Sequence, residues 1–153
     1  MEYEVPGVGK IVLKTVVFDL NGTLAVYGNI KESTKVLLNK MLGNGFEVVL
    51  LTSDQRGIAV ETASELNIKC VIAKTSDDKE NFMSSLDFQT TVAIGNARVD
   101  IGMFKHSKIR IATIQQEGIH TGILNYVDIM VNDVDDAIKL LLDKDTFAST
   151  MKV

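Results

Sequence analysis

Residues 16–28 read VVFDLNGTLAVYG, and two readings compete for them. The first is a β-hairpin: two apolar strands joined by Asn21-Gly22, the dipeptide best suited to a type I′ turn. The second starts from Asp19, an acid at the end of an otherwise apolar strand, with Gly22 and Thr23 close behind. A plain hairpin says nothing about the rest of the chain. An aspartate that needs this turn predicts polar partners elsewhere.

Outward from that stretch, apolar runs alternate with helical ones. TVVFDL (15–20) is followed by KESTKVLLNKMLGNG (31–45), a helix closed by Gly43 and Gly45. FEVVLLT (46–52) is a continuous apolar run, as expected of a strand covered on both faces. RGIAVETASELN (56–67) reads as a helix that Asn67 can end. CVIA, DDKENFMSSL, TVAIG, ARVDIGMFKHS and IRIATI then continue the alternation as far as 114. VDIMV and DVDDAIKLLLD follow, with Asn132 or Asp133 able to cap the last helix. Such alternation implies an α/β domain: a three-layer, Rossmann-like arrangement with helices on both faces of a central parallel sheet. MEYEVPGVGKIVLK (1–14) is different, two short strands about a Pro-Gly turn, and predicts an N-terminal antiparallel hairpin. The whole, 1–153, is expected to be one domain, with residues 143–153 a frayed or loosely docked tail.

Composition narrows the function classes. A net charge of −4 argues against a nucleic-acid surface, which needs clustered Lys and Arg. No apolar run approaches the ~20 residues of a membrane span. The start, MEYEVPGVGK, lacks an apolar signal core, and Cys70 is the one cysteine, with no partner for a disulfide. These features predict a cytoplasmic protein without membrane or nucleic-acid partners.

In an open parallel sheet, ligands bind beyond the carboxyl ends of the strands, near the switch in strand order. Asp19, Thr52 and Gly95-Asn96 all stand where apolar strands give way to loops. Three polar features on one rim favour the second reading of residues 16–28.

In order along the chain, these residues resemble the motifs of the haloacid-dehalogenase-like superfamily of phosphotransferases. VVFDLNGTL resembles its nucleophile motif, VVLLT its second strand ending in Thr52, SDDKENF its lysine motif with Lys79, and VAIGNARVD, in altered form, its acidic fourth motif. The likeness runs from about Thr15 to Leu142. Asp19 to Thr23 and Thr52-Ser53-Asp54 are also similar to the phosphorylation domain of P-type ATPases, and most of all to small stand-alone soluble relatives of it. The resemblance implies the strand order 5-4-1-2-3, with Asp19 on the central strand. It implies phosphoryl transfer through an aspartyl-phosphate on Asp19. Thr52, Ser53 and the backbone at Asn21, Gly22 and Thr23 would hold phosphoryl oxygens, and Lys79 would offset charge. Mg²⁺ would be held by Asp19, residue 21 and Asn96, with Asp100 on the same face. Hard oxygen ligands plus substrate phosphate are what Mg²⁺ prefers.

Two residues depart from the pattern. Most phosphatases of the superfamily carry a second aspartate where this chain has Asn21, and a carboxamide has no usable pKa for acid–base work. Asn96 replaces a charged metal ligand. The resemblance thus implies a slow Mg²⁺-dependent phosphatase or phosphotransferase. The alternative is a non-catalytic domain that binds phosphate ligands or a protein partner; a phosphorelay receiver domain ranks third because it lacks Gly-Thr-Leu. Only about 28 residues separate Thr23 from Thr52, enough for one helix and one strand, so no cap domain is expected, only a flap at AVYGN. A capless site suits a small or macromolecular phosphorylated substrate, or cover from a neighbouring subunit in a homo-oligomer.

Other residues carry ordinary readings. His106 and His120 lack metal-ligand spacing and suit surface or capping roles. Glu117 and His120 lie after the fifth strand, within reach of the rim. Arg98 reaches phosphate or solvent. Asp54 caps the next helix, and Asp133, Asp135 and Asp136 suit the first turn of theirs. Met41, Met83, Met103 and Met130 read as core filler.

Overall fold

Side chains of an extended strand point alternately to opposite faces, so a strand buried throughout must have a layer on each side. Strand β3 (Thr15–Phe18) is buried at all four residues. In the computed structural model, which describes residues 1–153, Val16 and Phe18 join one apolar cluster and Val17 another. The larger cluster packs beneath α1 (Glu32–Gly43), α2 (Ala59–Leu66), α5 (Val134–Leu142) and α6 (Lys144–Met151). The smaller lies under α3 (Ser76–Met83) and α4 (Ile101–Lys105). Three layers result, as the alternation predicts.

The remaining core strands are β4 (Glu47–Thr52), β5 (Lys69–Ile72), β6 (Thr91–Gly95), β7 (Ile109–Thr113) and β8 (Ile129–Val131). The six run parallel in the order β5-β4-β3-β6-β7-β8. Counted from β3, this is the expected five-strand order with β8 added beside β7. The chain builds outward from β3 to β5, then returns to place β6 on the other flank of β3. The switch point therefore lies between the ends of β3 and β6, where Asp19 and Asn96 stand. No helix is long and apolar enough to cross a membrane, and no cap domain interrupts the chain.

β1 (Glu2–Val5) and β2 (Gly9–Val12) form the expected antiparallel hairpin. Two expectations are corrected. Residues 144–151 are not a frayed tail but helix α6: Asp143 caps it, Phe147 is fully buried, and its ring lies 4.2 Å from that of Tyr3. The Tyr3 hydroxyl donates to the Leu141 carbonyl at 2.6 Å, which ties the hairpin to α5. Met130 is not core filler; it is 46% exposed, because β8 is an edge strand with one open face. Met41, Met83 and Met103 are buried.

Helix boundaries follow local chemistry. α2 ends at Asn67 in the left-handed conformation (φ 54°), which Asn tolerates better than most residues. Thr75 and Asp78 make a reciprocal capping box at the start of α3, one turn before Lys79 faces the sheet. α3 and α4 approach so closely at Gly102 that a Cβ there would collide with the Ser76 carbonyl. The Gly102 N–H donates instead to the Ser76 hydroxyl at 3.0 Å.

Candidate active site

At the end of β3 the chain folds back on itself. Leu24 N–H reaches the Asp19 carbonyl at 3.3 Å, Ala25 N–H the Leu20 carbonyl at 2.8 Å, and Gly22 N–H the Ala25 carbonyl at 2.7 Å. Asn21-Gly22 is therefore not the turn of a hairpin. Gly22 alone takes positive φ (78°), and a Cβ there would strike the Asn96 carboxamide; glycine is what lets these two loops touch. The hairpin turn comes later, at Tyr27-Gly28 (φ 49° and 81°), closed by reciprocal bonds of 2.9 and 3.0 Å between Val26 and Asn29. It forms the flap.

Asp19 sits under this fold-back, 4% exposed. The chain thus supplies much of the cover that a capless site lacks. The Lys79 ammonium, wholly buried, lies 2.8 Å from Asp19 Oδ1 and 2.7 Å from Asp100 Oδ1. Burial, and then the like charge of Asp100, push the Asp19 carboxyl up to about 7 against the opposing pull of Lys79. Burial would lower the Lys79 ammonium, but Asp100 and Asp19 outweigh it and its pKa is raised. Lys79 stays charged.

The other residues of the sequence constellation stand at or just beyond the ends of β3 and of the two strands that flank it, β4 and β6. Thr52, fully buried, accepts the Asp54 N–H at 3.1 Å and keeps its hydroxyl proton to give. Ser53 stands beside it, its carbonyl accepting from the Lys74 ammonium at 3.2 Å. Thr23 donates to Asn96 Oδ1 at 3.2 Å, and Asn96 Nδ2 donates to the Gly118 carbonyl at 2.9 Å. Asp100 differs from a free ligand. Its Oδ1 is held by Lys79, and its Oδ2 accepts the N–H groups of Asn96 and Ala97 at 2.9 and 2.8 Å. Gly95 has no room for a side chain against it.

The oxygens left over can be tested against a divalent cation. Asp19 Oδ2 accepts no hydrogen bond from a side chain, and the one backbone group that acts on this carboxylate is the Leu20 N–H. The Asn21 backbone carbonyl accepts none. The Asn21 side-chain oxygen is buried with no partner at all, an arrangement that costs free energy unless something else meets it. With Asn96 Oδ1, which already accepts from Thr23, these are hard oxygens without thiolate or imidazole. The set fits Mg²⁺, and a cation there would oppose the upward shift of Asp19.

Sequence reasoning misses Gln115. Its Nε2 donates to the Gly22 and Thr23 carbonyls at 3.0 and 2.7 Å, and Thr113 Oγ1 adds a third bond, 3.3 Å, to Gly22. The loop after β7 thus braces the loop that carries the glycine and threonine. The polar run QQEG just past a strand end is the one sequence signal for it. His106 pairs with Glu80 at the surface and His120 Nδ1 accepts from the Gly122 N–H, the roles expected of them. Asp54 caps α2 through the N–H groups of Ile58 and Ala59. A cavity of about 700 Å³ opens beside the flap, between Leu24, Tyr27, Lys31, Gln115 and Asn132. None of Asp19, Thr52, Lys79 or Asn96 lines it.

No protein-family model matches the sequence, and no curated protein matches it. Solved structures do match by shape. The cobalt-bound deoxy-D-mannose-octulosonate 8-phosphate phosphatase of Haemophilus influenzae is 14% identical, with a TM-score of 0.73 over 92% of this chain and 94% of that one. The 3-deoxy-D-manno-octulosonate 8-phosphate phosphatase of Moraxella catarrhalis, solved with magnesium, phosphate and its sugar acid, is 16% identical. Its TM-score is 0.71, over 92% of this chain and 94% of that one. A hydrolase of haloacid-dehalogenase subfamily III A from Legionella pneumophila is 15% identical, with a TM-score of 0.71 over 90% of this chain and 86% of that one. The chain has the haloacid-dehalogenase-like fold.

Proposed function

We propose that the protein transfers or hydrolyses phosphoryl groups in a Mg²⁺-dependent reaction, with Asp19 as the nucleophile. The observation that carries this reading is the state of the Asp19 carboxylate. One oxygen is fixed at 2.8 Å by a buried ammonium, and the other, at the end of the central strand, is bonded by no side chain. Asp19 Oδ2 attacks phosphorus, the bond from phosphorus to the ester oxygen breaks, and an aspartyl-phosphate forms. Lys79 and the Thr52 hydroxyl donate to the phosphoryl oxygens as their charge spreads. Water then attacks the phosphorus, phosphate leaves, and the Asp19 carboxylate is regenerated. Mg²⁺, held by Asp19, Asn21 and Asn96, would neutralise phosphoryl charge. Asp100, with both oxygens engaged, acts by positioning Lys79.

Asn21 shapes the rate. It has no proton to give the departing oxygen, so the leaving group must depart as an anion or take its proton from water. Aryl and acyl phosphates should be the better substrates, and turnover slow. The missing general acid also favours a second reading, a phosphate-binding regulatory module without turnover.

The test is a Mg²⁺-supplemented phosphatase screen with acid-quench trapping of the phosphoenzyme. Hydroxylamine-sensitive label on the parent and none on Asp19→Asn supports the proposal. Equal label on both overturns it. An inert parent that binds phosphate leaves the regulatory reading.

A further inference from the structure

Three segments of the strand-end rim converge on Glu117. Its Oε2 accepts the Tyr27 N–H of the flap at 2.8 Å, and its Oε1 lies 3.6 Å from Arg56 Nη2 in the loop after β4. Tyr27 also donates its hydroxyl to the Gln116 carbonyl at 3.3 Å, and the flap turn at Gly28 packs on the Arg56 side chain. β4 and β7 are separated in the sheet by β3 and β6. With neighbouring strands about 4.8 Å apart, their ends stand about 14 Å from each other. A contact between a loop of β4 and a loop of β7 must therefore arch across the ends of β3 and β6. Those ends carry Asp19 and Asn96, and both are nearly buried, at 4% and 7% exposure.

The two halves of this arch are held unequally. The Glu117–Tyr27 contact is a good hydrogen bond, whereas 3.6 Å between Glu117 and Arg56 is too long for one. Arg56 remains 42% exposed, its guanidinium fork unfilled. Among residues 20–30, 53–58 and 114–120, which form the arch, Arg56 is the one Lys or Arg. Lys79, wholly buried beneath it, already has two of its three N–H donors on carboxylates and does not reach the rim.

We propose that Arg56 reads a second anionic group on the leaving-group side of the substrate, and that Glu117 holds its place until that group arrives. The inference rests on the phosphoryl-transfer reading of Asp19. The substrate class is a phosphate monoester whose leaving group bears a carboxylate or another phosphate. Such a group offers the bidentate partner that Glu117, turned toward Tyr27, does not. Its arrival frees Glu117 from Arg56 and lets the flap side of the arch swing away from the β4 side.

The test compares 2-phosphoglycolate with methyl phosphate by calorimetric titration in magnesium-containing buffer, on the parent, Arg56→Met and Glu117→Gln. Arg56 lies at the exposed rim; Glu117 is 19% exposed, but glutamine keeps an oxygen that can accept the Tyr27 N–H, and circular dichroism checks that both variants are folded. The parent should prefer phosphoglycolate about tenfold, the worth of one hydrogen bond between charged groups. Arg56→Met should abolish that preference, and Glu117→Gln should enlarge it. Opposite directions are decisive, because a purely structural pair would respond the same way to loss of either partner. A preference unmoved by Arg56→Met, or moved alike by both variants, overturns the latch while leaving the phosphoryl site standing. A folded parent that binds neither ligand overturns the phosphoryl site itself.

Discussion

The ammonium of Lys79 lies 2.7 Å from Asp100, whose other oxygen is held by two backbone N–H groups of the loop that follows β6. The lysine is therefore fixed by a carboxylate that is itself fixed, before Asp19 is considered. Lys79→Met would leave two buried acids facing each other without their cation, a loss expected to cost about 3–5 kcal/mol. Urea unfolding at pH 7 measures it. Asp100→Asn added to that variant should recover part of the stability, since it removes one of the unpaired charges.

Asn21→Asp restores a group able to carry a proton at the position next to the phosphoryl site. General acid–base help is typically worth about 10²–10⁴-fold. The variant should therefore hydrolyse an alkyl phosphate at least tens of times faster than the parent, while an aryl phosphate with a good leaving group gains less. Steady-state rates on the two esters give the ratio. A uniform change on both would point to altered binding instead.

Stability should depend on Asp135, which is 6% exposed and accepts the hydroxyls of Ser33 at 2.6 Å and Thr34 at 2.5 Å. Burial by itself would raise its pKa. The two hydroxyls and the Lys31 ammonium, 3.3 Å away, outweigh burial and lower it. A carboxyl whose folded pKa lies below its unfolded value stabilises the fold above the unfolded value, about 3.9, and loses that contribution as pH falls through the folded one. Asp135→Asn should lower the melting temperature at pH 7 and make little difference near pH 2. Thermal scans at the two pH values check the sign.

Phe147→Ala should destabilise by about 3–5 kcal/mol, because it empties a fully buried site between Tyr3 and the sheet helices. A loosely held terminus would lose almost nothing, so chemical denaturation separates the two descriptions of residues 144–151.

Much of this was legible in the sequence for one reason. A strand covered on both faces writes itself as an apolar run, and a residue that must meet a ligand stands where the run stops. Asp19, Thr52 and Asn96 are visible on those terms. Lys79 is visible only through the resemblance, since a lysine in SDDKENF otherwise reads as solvated. Gln115 was hidden because its partners, the Gly22 and Thr23 carbonyls, lie some 90 residues away and are backbone. The α6 helix was hidden because Phe147 is the one large aromatic residue in a polar stretch, and a single buried ring makes no periodic pattern. Turn propensity alone points to Asn21-Gly22, the reading that the strand-end residues overrule; the turn with two successive positive φ values is at Tyr27-Gly28, where the Glu117 carboxylate accepts the N–H of a tyrosine in a conformation it rarely adopts.

The bare backbone at Gly102 has a reach beyond its own helix. One missing methyl group lets α4 lie almost on the main chain of α3, and that closeness brings the start of α4, with Asp100, within range of a lysine anchored one turn along α3. Alanine at 102 would move no charged atom directly, yet it would act as a spacer between the acid and the base. Tuning of this centre is thus available from outside it, by adjusting the gap between two rods rather than by touching any group that meets phosphate.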